Sequence, residues 1–201
     1  GVEAIVQASR AIETGDATLM LAGGVESMSR APWVVLKPER TYPAAHETMY
    51  STTLGWRMVN PGMPEQWSIP LGETAEILAD RYNISREEQD AFALRSHRLA
   101  ASAWDSGIYD HEVVPVPGVD LARDEAIRAD STLETLAALK PAFRETGSVT
   151  AGNSSPLNDG AGALVIGAEG VLDSEPLARI VSRGVHAVDP DVFGIAPVEA
   201  A

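Results

Sequence analysis

Ser148-Val149-Thr150-Ala151-Gly152-Asn153-Ser154-Ser155-Pro156-Leu157-Asn158-Asp159-Gly160-Ala161-Gly162 is a run of small, polar and turn-forming residues. It lies between a charged segment and the apolar Ala163-Leu164-Val165-Ile166. Gly and Asn tolerate positive φ and let a backbone approach a ligand closely. Thr150, Asn153, Ser154, Ser155 and Asn158 add hydrogen-bonding side chains within nine residues. A linker of this composition would not usually lead straight into an apolar strand, so the run reads as a ligand-facing loop.

The surrounding composition bounds what such a loop can serve. The 201 residues, 45% of them hydrophobic, can build one large core or two small ones. A net charge of −14, from 29 acidic and 15 basic residues, argues against nucleic acid or an anionic membrane as partner. A phosphate-bearing ligand remains possible where a few Arg or Lys gather. No apolar run reaches the roughly 18 residues of a membrane span, and no basic-then-apolar signal segment opens the chain. Cysteine is absent, which excludes disulfides, Cys-ligated metals and a thiol nucleophile within these residues. His46, His97, His111 and His186 are scattered without HxxxH or HExxH spacing, so no metal site is expected. The chain opens at Gly1 directly in a helical pattern and stops at Ala201 after a Pro-containing turn, so both ends read as cut.

Read outward from the loop, the chain alternates helix and strand. Ala4, Ile5, Ala8, Ala11 and Ile12 share a helical face over Val2 to Thr14, with Gly15 as stop. Ala17 to Ala22 reads as a buried strand ending at Gly23-Gly24. Gly-Gly after a strand invites a dinucleotide loop, but neither GxGxxG nor GxxxxGK[ST] is present, and a nucleotide-dependent oxidoreductase has no other support. From Val25 to Pro70, Pro32, Pro38, Pro43, Pro61, Pro64 and Pro70 defeat long helices, while Trp33, Trp56 and Trp67 indicate a packed excursion.

A helix from Gly72 is expected to use Thr74, Ala75, Ile77, Leu78 and Tyr82. Ser85-Arg86-Glu87-Glu88 is a capping box that opens a helix running to about Trp104, with Phe92, Ser96, Leu99 and Ala103 on one face and Gly107 closing it. His97 reads as part of a solvated face. Val113 to Val116 suggests an edge strand and Thr132 to Leu139 a helix ending before Pro141. Arg123, Arg128, Lys140 and Arg144 are the local source of positive potential near the loop. Beyond it, Ala163 to Gly167 reads as a second buried strand, Ala168 to Asp173 as a short helix, Leu177 to Ser182 as a third strand, and Val188 to Ala201 as turns. No internal repeat is present.

Several segments then add up to a family. Ala22-Gly23-Gly24-Val25-Glu26-Ser27-Met28-Ser29, Thr53-Leu54-Gly55-Trp56-Arg57 and Gly72-Glu73-Thr74-Ala75-Glu76 resemble the thiolases. So do Ser85-Arg86-Glu87-Glu88-Gln89-Asp90-Ala91-Phe92-Ala93 and Lys140-Pro141-Ala142-Phe143. The loop resembles the thiolase VTAGN(A/S)SGxNDGA signature, and Gly194-Ile195-Ala196-Pro197-Val198 resembles the GIGPVPA turn. The flavour is that of the degradative or acetyl-CoA acetyltransferase type.

The resemblance implies an α/β, thiolase-like fold, present here in part. Residues 1–29 and 148–175 would belong to the N-terminal thiolase domain, 30–147 to a loop domain covering the active site, and 176–201 to the start of the C-terminal domain. It implies cleavage of 3-oxoacyl-CoA by coenzyme A, or the reverse Claisen condensation of two acyl-CoA, in fatty acid metabolism of the β-oxidation kind. The family's Cys nucleophile would lie upstream of Gly1. Its Asn-Glu-Ala-Phe segment, Gly-His-Pro histidine and second Cys would lie downstream of Ala201. No catalytic residue is therefore expected within the chain, and the chain alone is expected to be inactive.

What the resemblance carries across is coenzyme A binding, as substrate and not as a covalent cofactor. Ser155 matches the loop serine that meets the pantetheine, and Ala151 a backbone contact in the same loop. Arg128 matches an arginine at the nucleotide end, Phe143 an aromatic packed along the ligand, and Leu71 the place of a Met beside the pantetheine. Thr135 stands for a serine near the coenzyme A and keeps the hydroxyl. Pro156 replaces the usual Gly after the serine, removing an N–H and fixing φ. Pro70 stands where some members have a histidine. The family's homodimers or homotetramers and a cytoplasmic location complete the expectation. The other reading is a non-catalytic thiolase-like module that binds acyl-CoA or a partner.

Overall fold

The computed structural model describes residues 1–201, which divide into two compact units. The first comprises residues 1–63, 157–189 and 195–201, and the second residues 64–156 and 190–194.

In the first unit, α1 (Val2–Glu13) packs on an antiparallel pair, β1 (Leu19–Glu26) and β4 (Gly160–Gly167). The register runs from Leu19 opposite Gly167 to Glu26 opposite Gly160. β1 does not stop at Gly23-Gly24, as the sequence suggests, but continues through them. A Cβ on Gly23 would run into the Gly162 carbonyl, so glycine is what lets the strands meet there. Gly160 to Gly162, read from sequence as the end of the loop, are strand residues. Asp159, immediately before β4, accepts hydrogen bonds from the Ser29 amide at 2.9 Å and from the hydroxyls of Ser29 at 2.6 Å and Ser27 at 3.3 Å. Those bonds, from the Ser29 hydroxyl first, hold its carboxyl below the usual range.

The core of this unit is small: Ala8 and Ser9 of α1 and Ala22 of β1 are buried. The expected buried strands are largely uncovered. Val25 is 80% exposed, and Leu21, Leu164 and Val165 are also open. An apolar run shows that a strand suits burial but not what covers each face, and here only α1 packs on the pair. The Pro-rich excursion forms a short hairpin, β2 (Trp33–Val35) with β3 (Met49–Ser51). Its aromatics are not packed away as expected; Trp33 is 67% exposed. Neither Leu177 to Ser182 nor Ala168 to Asp173 forms its expected element: the former pairs with no strand and the latter is a string of turns. Toward the end, where turns alone are expected, a 3-10 segment Pro190–Ile195 leads into α5 (Ala196–Ala200), with Pro197 in its first turn.

The second unit contains α2 (Leu71–Tyr82), α3 (Arg86–Asp105) and α4 (Leu133–Ala137). α2 ends on Asn83 in the left-handed conformation, φ 53°. α3 opens on the expected capping box: the Glu88 amide donates to Ser85 Oγ at 3.2 Å, and the Ser85 amide donates to Glu88 Oε2 at 2.8 Å. Its buried side is Asp90, Leu94 and Ala101, not the predicted Phe92–Ser96–Leu99–Ala103 face; Phe92 is 69% exposed. Both stripes have helical spacing, and packing against α4 selects the one carrying Leu94. No strand forms at Val113 to Val116, where Pro115 and Pro117 remove ladder donors. α4 is shorter than expected and is capped reciprocally: the Thr135 amide donates to Thr132 Oγ1 at 3.2 Å, and the Thr132 amide to Thr135 Oγ1 at 3.0 Å. Leu136, Val149, Thr150 and Val192 join Leu94, Ala79 and Ala101 in the core of this unit. No helix is long and apolar enough to cross a membrane.

Candidate functional site

The first half of the quoted loop, Ser148 to Ser155, lies in the second unit and is wired by side chains. Thr150 is fully buried, 0% exposed. Its amide donates to Asn153 Oδ1 at 2.8 Å, and its hydroxyl accepts from the Gly152 amide at 3.2 Å. Asn153 in turn donates through Nδ2 to the Ser148 carbonyl at 2.9 Å and to Asp90 Oδ1 at 3.1 Å. Asn and Thr are the residues whose short polar side chains close such turns on their own backbone.

Two helices grip this turn. Glu76, in the middle of α2, accepts from the Ser148 and Val149 amides and from the Ser148 hydroxyl at 2.8–2.9 Å. Burial pushes the Glu76 carboxyl up, but those donors and the positive charge of Arg144 outweigh it, and the carboxyl titrates below its ordinary value. Arg86, in the first turn of α3, binds Asp90 at 2.7 Å and reaches the Leu136 and Leu139 carbonyls at the end of α4. Leu136 and Leu139 also close over Gly152. A further tie is the Ala142 amide to the Val149 carbonyl, 2.9 Å.

Phe143 lies with its ring across Gly72, next to Leu71 at the start of α2, so these two come together; both are exposed. Ala151 and Ser155 sit on the exposed side of the pinned turn. Thr135 is exposed at the start of α4, its hydroxyl already engaged with Thr132. Arg128 precedes α4; its amide donates to His97 Nδ1 at 3.2 Å and its guanidinium to the Glu125 carbonyl at 2.6 Å. His97 is thus half-buried and used, which corrects its reading as part of a solvated face.

The expected positive potential is narrower than the sequence suggests. Arg144 is clamped by Glu73 at 2.6–3.0 Å and Asp80 at 2.6 Å, and those hydrogen bonds raise its pKa further. Arg123 binds Asp105 at 2.8 Å and lies 5.8 Å from the Trp104 ring centre. Arg128 forms no ion pair with an acidic side chain, its guanidinium bonding only the Glu125 carbonyl. Sequence reasoning missed Glu76, Asp90, Arg86 and Arg144 as the frame. The i,i+4 spacing of Arg86 and Asp90 is a legible signal, but the long-range partners of the other residues are not.

The family described as thiolase, N-terminal domain, matches residues 1–170. The chain is 46% identical over its whole length to a 3-oxoadipyl-CoA/3-oxo-5,6-dehydrosuberyl-CoA thiolase of Escherichia coli, and 45% identical to a β-ketoadipyl-CoA thiolase of Pseudomonas aeruginosa. In each case it spans about half of the relative, 52%. Among solved structures it superposes over its full length on human mitochondrial 3-ketoacyl-CoA thiolase in complex with CoA, with a TM-score of 0.88, 36% identity and 51% of that chain covered. On the Bacillus anthracis acetyl-CoA acetyltransferase the TM-score is 0.84, with 42% identity and 53% covered. A partial α/β fold of this kind, matched along nearly all of its residues, belongs to the thiolase family.

Proposed function

We propose that residues 64–156 bind the coenzyme A moiety of an acyl-CoA for a thiolase, an acyl-CoA C-acyltransferase. In that reading Ser155 and the backbone at Ala151 meet the pantetheine arm, Leu71 and Phe143 flank it, Thr135 stands near the coenzyme A, and Arg128 lies toward its nucleotide end. The observation that carries it is that all six residues belong to one compact unit and each is exposed there, with the turn that bears Ala151 fixed by Glu76 and Asn153. A pre-shaped turn binds without the cost of ordering itself, and an Arg outside any acidic ion pair suits a phosphate.

The activity proposed for the whole protein is thiolytic cleavage of 3-oxoacyl-CoA by coenzyme A, or its reverse. No catalytic residue is assigned within these 201 residues, which hold no cysteine. The division proposed is 1–29 and 148–175 in the N-terminal thiolase domain, 30–147 in the loop domain and 176–201 opening the C-terminal domain. Assembly as a homodimer or homotetramer, a cytoplasmic location and a place in β-oxidation-type metabolism belong to the same proposal. The experiment is a thiolysis assay with acetoacetyl-CoA and 3-oxoadipyl-CoA on the whole protein of which these 201 residues would be a part, beside calorimetric titration with coenzyme A. Ser155→Ala is expected to weaken coenzyme A binding about fivefold, the worth of one hydrogen bond. Binding without turnover would favour the non-catalytic module, and absence of binding would sink both readings.

A further inference from the structure

Glu76 and Asp90 are each only 2% exposed as residues, and neither lies among those proposed to touch the ligand. Both are turned toward one loop. Glu76 takes the Ser148 and Val149 amides directly. Asp90 takes Asn153 Nδ2, whose other amide atom takes the next amide in line, Thr150. Three consecutive backbone donors of an irregular segment are thus satisfied by side chains, two by Glu76 of α2 and the third by Asn153, which Asp90 of α3 holds in turn. A buried carboxylate is costly unless it is well bonded. Two of them committed to one turn, with Arg86 pairing only one, imply that the turn's shape matters.

We propose that Glu76 and Asp90 are positioning residues, which from α2 and α3 fix the backbone of Ser148 to Asn153 before a ligand arrives and so set the affinity of the site. This rests on the reading of the loop as a coenzyme A contact. The groups facing Glu76 are the Ser148 hydroxyl and the loop amides, the Arg144 guanidinium, already shared between Glu73 and Asp80, and Gln89 of α3, which donates to the Ser148 hydroxyl at 2.9 Å. Glu76→Gln keeps the shape but turns an NH2 toward donors, whichever way the amide is flipped. Asp90→Asn keeps the acceptor for Asn153 only if its NH2 faces Arg86, where it opposes a second donor.

The test is amide hydrogen exchange and coenzyme A titration of the full chain. Glu76→Gln is expected to speed exchange at Ser148 and Val149, and Asp90→Asn at Thr150, each by about tenfold or more, and to weaken coenzyme A by about tenfold, as for loss of hydrogen bonds to a charged group. Ala101→Gly, a destabilising helix-interior change on α3, serves as the control. It should lower Tm yet leave loop exchange and coenzyme A affinity unchanged. Equal exchange and affinity in Glu76→Gln and the parent overturn the proposal, as does a loss of affinity in Ala101→Gly as large as in Glu76→Gln. If the parent binds no coenzyme A, the ligand reading fails by itself, and the exchange measurement still decides whether the carboxylates fix the loop.

Discussion

At the scale of residues, the contact between Gly72 and Phe143 joins the start of α2 to the segment before the loop. A Cβ on Gly72 would overlap the ring, so Gly72→Ala must drive Phe143 off its seat. Because Phe143 is 44% exposed and its ring can swing out, and alanine is favoured over glycine by up to about 1 kcal/mol within a helix, we expect a net change in stability below about 1 kcal/mol, measured by urea denaturation. Glu76 gives a pH dependence with a definite sign. Its folded carboxyl titrates below the ordinary carboxylate value, because the Ser148 and Val149 donors and Arg144 outweigh burial. The stability it contributes is therefore complete above the unfolded carboxylate range and is lost as pH falls through the folded value. Stability measured from neutral pH down into the acid range should fall less steeply in Glu76→Gln than in the parent. Identical slopes would contradict the role assigned to this carboxyl.

At the scale of elements, what was legible in the sequence was what local chemistry decides. Ser85 and Glu88 declare the start of α3 because the cap is made within four residues of chain. Ser85→Ala should therefore cost about 1 kcal/mol, like other caps, seen as a lower Tm with reduced helicity on heating. The capped turn of α4 follows the same logic with Thr135 in place of Glu, and the loop composition rightly announced a structured turn. Leu177 to Ser182 and Val113 to Val116 failed as strands because a strand exists only with a partner, and composition does not supply one. The stripe of α3 was misassigned for a similar reason, since Leu94 and Phe92 both lie on helically spaced apolar lines and tertiary packing chose Leu94. The hold of Glu76 and Asp90 on the loop was invisible because their loop partners lie 63–73 residues away in sequence.

At the scale of the whole molecule, exposed apolar surface is the leading property. Leu21, Val25, Leu164 and Val165 stand open on the β1–β4 pair, and both strands of the pair have a free edge. Contiguous apolar surface and open edges drive association. The 201-residue chain in isolation should bind a hydrophobic dye and self-associate as concentration rises, as read by analytical ultracentrifugation. A monomer with one sharp unfolding transition would contradict this. In the second unit the loop is held by named bonds, and Arg128 forms no ion pair with an acidic side chain.

The central claim, that this unit holds coenzyme A with Arg128 at the phosphate-bearing end, is most directly tested by calorimetric titration of coenzyme A and of pantetheine into the parent and Arg128→Ala. The account predicts that Arg128→Ala weakens coenzyme A by about tenfold, as for a charge-assisted contact, and leaves pantetheine binding unchanged. Equal losses for the two ligands, or no loss for coenzyme A, would contradict it.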